Sequence, residues 1–119
     1  MNMDMKIIDR NEFSKMELAI IEWFKENSTD TDLLKQLDSI KYVRTEYSGA
    51  GFYVSFDVNK NLKPVTASFP IDGPFIISKD IDNSAGSLLW GENGYLTMIE
   101  IYIHGDFINE NINDFQILE

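Results

Sequence analysis

The stretch Ser87-Leu88-Leu89-Trp90-Gly91-Glu92-Asn93-Gly94-Tyr95-Leu96-Thr97-Met98-Ile99-Glu100-Ile101-Tyr102-Ile103-His104 carries two signals at once. Asn93-Gly94 supplies the positive φ angles that a tight two-residue turn requires, which predicts a β-hairpin. On its return limb Ile99, Ile101 and Ile103 fall on one side of a strand, while Glu100, Tyr102 and His104 fall on the other. Such a split fits a central strand of an antiparallel sheet with helices on one side and a partly wet opposite face.

The same period of two recurs upstream. Gly51 to Val58 puts Phe52, Val54, Phe56 and Val58 on one face and Tyr53, Ser55 and Asp57 on the other. Ile40 to Tyr47 is rich in β-branched and aromatic residues, and Ser48-Gly49-Ala50-Gly51 supplies the turn that pairs the two as a second hairpin. Val65 to Phe69 and Phe75 to Lys79 are further strand candidates, Pro70 to Pro74 reads as a loop, and Phe115 to Leu118 reads as a short edge strand. Before residue 39 the period is 3.6. Phe13, Met16, Ile20, Trp23 and Phe24 define an amphipathic helix within Asn11 to Asn27, with Asn11 as a cap, and Leu33, Leu34 and Leu37 give a shorter one within Thr29 to Leu37. The expected fold is α+β: one domain over residues 1–119, with a helical part at about 11–38 and a sheet part at about 40–119. Two N-terminal helices would pack on an antiparallel sheet of about five or six strands.

Composition narrows the chemistry. The 119 residues are 44% hydrophobic and 13% aromatic, enough for a core without a covalent or metal staple. The absence of cysteine removes disulfides, thiolate metal sites and cysteine nucleophiles, and a single histidine leaves little for zinc. Neither a cofactor nor a metal is expected. Ten basic against twenty acidic residues give a net charge of −10, which repels nucleic-acid phosphates and anionic membranes and suits a basic protein partner. The first ten residues alternate charge with apolar side chains, unlike the continuous apolar core of a signal peptide, and no run approaches the ~18–20 apolar residues of a membrane span. The cytoplasm is the expected compartment.

Three groups of residues could carry function. Glu100, Tyr102 and His104 project side by side from one strand, with Asp106 after a turn, and could do general acid–base work or bind a metal. The ordinary explanation is the polar solvent face of a strand. Asp80, Asp82, Glu92, Asp106, Glu110 and Asp114 fall in or near loops, where their summed potential could steer a cationic protein into contact; plain solvation is the alternative. The glycines of Gly49-Ala50-Gly51 and Asp72-Gly73-Pro74 read as turns and match no phosphate-binding fingerprint, and Trp23 and Trp90 read as core. The residues favoured for partner contact are Asp80, Asp82, Glu92, Glu100, Tyr102 and Asp106, grouped around one hairpin and its return strand.

The segment from Gly86 to Tyr102, followed by Gly105-Asp106, resembles a pattern of small bacterial proteins of polymorphic-toxin loci. Among these are immunity proteins of contact-dependent growth inhibition systems. Ser48-Gly49-Ala50-Gly51-Phe52-Tyr53-Val54-Ser55-Phe56 is similar to the Gly-aromatic hairpin of that family, and together these segments cover about a quarter of the 119 residues. The resemblance implies an antitoxin without catalytic residues, which binds the C-terminal toxin domain of its cognate system, often a nuclease, and blocks it. Two other readings stay open: a small enzyme or metal-binding protein built on Glu100, Tyr102 and His104, and an adaptor domain that self-associates through an edge strand as a homo-oligomer.

Overall fold

A computed structural model describes residues 5–105 and 108–118 of the chain. In chain order it contains β1 (Lys6–Ile8), α1 (Lys15–Asn27), α2 (Thr31–Asp38), β2 (Lys41–Tyr47), β3 (Gly51–Asp57), β4 (Ile71–Asp72), β5 (Phe75–Ile77), β6 (Ala85–Glu92), β7 (Tyr95–Ile103) and β8 (Gln116–Leu118). The strands form one antiparallel sheet of eight, ordered β1-β2-β3-β7-β6-β5-β8, with β4 also paired to β6. The α+β architecture is as the sequence leads one to expect. The strand count is not: eight replaces five or six, because β1 and β4 are too short for a period to register.

β1 precedes the helices, so the sheet reaches back to Lys6 and is not confined to residues beyond 40. Val65 to Phe69 forms no strand. Pro64 and Pro70 flank it without N–H donors, and the Val65 N–H is committed to the Gly94 carbonyl at 2.7 Å. Pairing falls instead to Ile71 and Asp72, within the expected loop. The first helix starts later than Asn11, because Ser14 and Glu17 form a reciprocal capping box that satisfies the backbone donors of the first turn. Asp30 caps the second through the N–H groups of Asp32 and Leu33.

The two hairpins predicted from Asn93-Gly94 and Ser48–Gly51 are both present, and β3 pairs with β7 to join them at the centre of the sheet. Asn93 and Gly94 take φ values of 54° and 86°. A Cβ at Gly94 would press into Pro64, so this turn excludes other residues by space as well as by backbone angle. Between Trp90 and Gly91 the register shifts, and Thr97 is the inserted residue on β7. That bulge lets Leu96 and Ile99 both point inward although they are an odd number of residues apart.

One face of the sheet supplies Phe52, Val54 and Phe56 from β3, Leu96, Ile99 and Ile101 from β7, and Ala85 and Leu89 from β6. Met16, Ile20, Ile21 and Phe24 of α1 and Leu33 and Leu37 of α2 close over it as one core. Gln36 is fully buried between α2 and the hairpin: its amide donates to the Lys63 and Gly94 carbonyls at 3.0 and 2.9 Å and accepts from the Leu96 N–H at 3.0 Å. Every polar atom of that side chain is used, as burial demands.

Candidate functional site

The opposite face of the sheet has its own composition. Strand register fixes which side chains share it, because directly paired residues of an antiparallel sheet project to the same side. One row crosses the sheet as Glu46, Tyr53, Glu100, Leu88 and Asp72. The adjacent row is Arg44, Ser55, Met98 and Trp90, and the row on the other side is Gly51, Tyr102 and Gly86. Neighbouring strands are about 4.8 Å apart, so these side chains touch across strands and form a continuous surface. Tyr53, Ser55, Leu88, Trp90, Met98, Glu100 and Tyr102 are all half-buried, shielded by one another, while both helices lie on the far side.

Two hydrogen bonds organise the centre. The Trp90 indole Nε1–H donates to Glu100 Oε1 at 2.9 Å, tying an aromatic ring to a carboxylate one row away. Arg44 Nε donates to Glu46 Oε1 at 3.2 Å, so the guanidinium of this face is already engaged. Tyr102 lies directly over Gly86, and any Cβ there would enter the phenol ring, which is why the strand carries glycine opposite it. From Tyr102 the aromatic surface continues: His104 meets it edge-on at 5.5 Å between ring centroids, and Phe75 lies 5.6 Å from His104. Phe75 and its cross-strand neighbour Leu118 remain 47% and 41% exposed, and Ile7 at the opposite edge of the same face is 65% exposed.

The candidate residues separate into three places. Glu100 and Tyr102 belong to the open face. Glu92 is exposed beside the β6–β7 turn, at one end of β7, whereas Asp80 and Asp82 lie near its other end, about 27 Å away along a strand of nine residues. Asp80 is a tether: its carboxylate accepts from the Asn113 N–H at 3.2 Å and from Asn109 Nδ2 at 3.5 Å, and its carbonyl accepts from the Asn109 N–H at 2.9 Å. Asp82 is exposed in the turn that runs against Gly105. Asp106 lies outside the described residues. The five described candidates therefore do not form one cluster, because register, not sequence proximity, decides what shares a face. Trp90, read from sequence as core, faces outward, and Tyr53 and Glu46 complete a site that the loop acids suggested elsewhere. Tyr53 was visible in the alternation of β3; its position beside Glu100 depends on a strand pairing that no single strand reveals.

The acid–base grouping is brought together only in part. Tyr102 and His104 touch, but His104 Nδ1 bonds Ser84 Oγ at 2.7 Å and Glu100 bonds Trp90. Among the described residues, no group of three or more His, Cys, Asp or Glu side chains is placed to hold a metal ion.

A cleft of about 290 Å³ on the helical side, between the start of α1 and the C-terminal segment, contains Arg10, Glu17 and Glu110. Both of its carboxylates have cationic partners, Glu110 with Lys6 and Glu17 with Arg10. Arg10 pairs with Glu17, which is 2% exposed, and donates to Thr45 Oγ1 at 2.5 Å, while Thr45 also bonds the Tyr42 hydroxyl at 2.7 Å. Burial works to lower the Arg10 pKa, but the hydrogen bond and charge of Glu17, aided by Tyr42, raise it overall. This network locks α1 to β2. Nearby, burial and the charge of Glu110 raise the Tyr47 phenol above its usual value against the opposing pull of Lys6, and that phenol donates to the Ile108 carbonyl at 2.7 Å.

No protein family, characterised protein or solved structure matches this chain. Function therefore has to be argued from the two faces of the sheet. Among the described residues no helix is long and apolar enough to cross a membrane.

Proposed function

We propose that the chain is an immunity-type binding protein that neutralises a cationic toxin domain, a nuclease in the first instance, in the bacterial cytoplasm by docking it on the open face of the sheet. The observation that carries this is the uncovered aromatic and carboxylate surface of Tyr53, Trp90, Glu100 and Tyr102 on a chain of net charge −10. Aromatic side chains give large contact area at small entropic cost, and ordered carboxylates between them favour a basic partner over an apolar one. A nuclease domain must hold phosphates with Lys and Arg, so a negative face approaches the same surface, quickly where the fields are complementary. The resemblance of the β2–β3 and β6–β7 hairpins to immunity proteins points the same way, since those hairpins build this face. The role needs neither a cofactor nor a catalytic residue.

Co-expression with the toxin domain encoded directly upstream of this chain's gene tests the reading. Growth rescue together with a one-to-one complex is the expected result. Neither rescue nor complex would overturn it.

A further inference from the structure

We infer that Glu100 and Trp90, flanked by Tyr53, form a seat for a single arginine side chain projected by the partner. The inference rests on the docking role just proposed and specifies its chemistry. Glu100 stands at the middle of its row, with Tyr53 across on β3 and Leu88 across on β6, and is half-buried there. Its Oε1 is held by the Trp90 indole, which fixes the rotamer. Among the described residues no further hydrogen bond or ion pair reaches Glu100, so Oε2 is free to accept. Of the cations on this face, Arg44 is occupied by Glu46, and Lys41 stands at the end of β2 opposite Asp57.

A half-buried carboxylate with one open oxygen and no cation is incomplete in a way that a partner can complete. Guanidinium fits better than ammonium. Its planar edge donates to Oε2 while its face lies on the indole or phenol ring, and it is more weakly hydrated than a lysine head group. The contrast with Glu17 shows the same chemistry already completed inside the molecule, where Arg10 supplies the guanidinium and Tyr42 the ring, 5.7 Å from the Arg10 Cζ. A second copy of this chain is a poor occupant, because two domains of charge −10 repel.

The test uses hexaarginine as the probe, titrated into the full chain while the Trp90 indole Nε1–H resonance is followed by NMR. Glu100→Gln keeps an oxygen for the Trp90 hydrogen bond and removes one charge. Glu26→Gln removes one charge from an exposed position on α1, on the helical side of the sheet, and is the control. The expected result is a shifted Trp90 resonance, a loss of roughly tenfold in affinity for Glu100→Gln, a loss under about twofold for Glu26→Gln, and weaker binding of hexalysine. An unmoved Trp90 resonance, or equal losses in the two variants, would overturn the seat, since binding would then follow net charge alone. Concentration-dependent dimerisation that buries Trp90 without peptide would also overturn it. If the upstream toxin domain binds wild type and Glu100→Gln equally, the seat fails while the neutralising role stands. If hexaarginine behaves as expected but no toxin is neutralised, the seat stands and the role fails.

Discussion

Ile99 and Glu100 are neighbours on β7, yet they belong to different chemistries. Ile99 is fully buried beneath the helices, paired with Val54 and Leu89 on the strands beside it, and contributes what a core residue contributes. Glu100 points the other way, into a surface of aromatic rings with one carboxylate oxygen open. The strand thus divides core packing from surface chemistry residue by residue, and the face with no helix over it carries its own hydrogen bond and ring contacts while staying half-exposed. A second contrast follows the same line. Glu17 has its arginine within the molecule, and Glu100 does not.

The sharpest way to test this division is to truncate both sides of β7. Ile99→Ala should cost about 3–4 kcal/mol in urea unfolding, from lost burial and the cavity left behind, whereas Glu100→Gln should cost under about 1 kcal/mol. Comparable costs at both positions would mean that the open face is part of the folding core. Arg10→Ala should cost about 3 kcal/mol, because it strands Glu17 without its cation. Gln36→Leu should cost about 2 kcal/mol by leaving the Gly94 and Lys63 carbonyls and the Leu96 N–H without their partner, and hydrogen exchange at Leu96 should rise.

A smaller effect than those at Arg10 and Gln36 lies where Tyr47 meets the C-terminal segment. Tyr47→Phe removes the bond to the Ile108 carbonyl and should cost about 1 kcal/mol. The raised Tyr47 pKa adds a pH signature. Above the ordinary tyrosine value of 10.0 the unfolded chain releases this proton before the folded one does, so stability is full below pH 10 and falls as pH rises beyond it. Tyr47→Phe should flatten that alkaline decline in a thermal-unfolding series. An unchanged slope would place its cause elsewhere.

What could be read without coordinates depended on length. The β6–β7 hairpin was legible because Asn93-Gly94 admits few other backbone paths, and β3 because seven residues suffice to show a period of two. β1 and β4, with three and two residues, show no period and form only because β2 and β6 offer open edges. For the site, alternation alone exposed Glu100 and Tyr102. Trp90 was hidden because a large aromatic is ordinarily core, and its outward orientation follows from being out of phase with the buried Leu89. The loop acids misled for the opposite reason: a carboxylate such as that of Asp80 satisfies backbone N–H groups as readily as it faces a partner, and sequence does not distinguish the two uses.

The most direct test of the central claim is the affinity of the purified chain for the toxin domain encoded upstream, measured for wild type and for Glu100→Lys, with unfolding curves to show that both are folded. Charge reversal at the middle of the open face should weaken binding by at least about a hundredfold. A folded Glu100→Lys protein that binds as tightly as wild type would contradict the account.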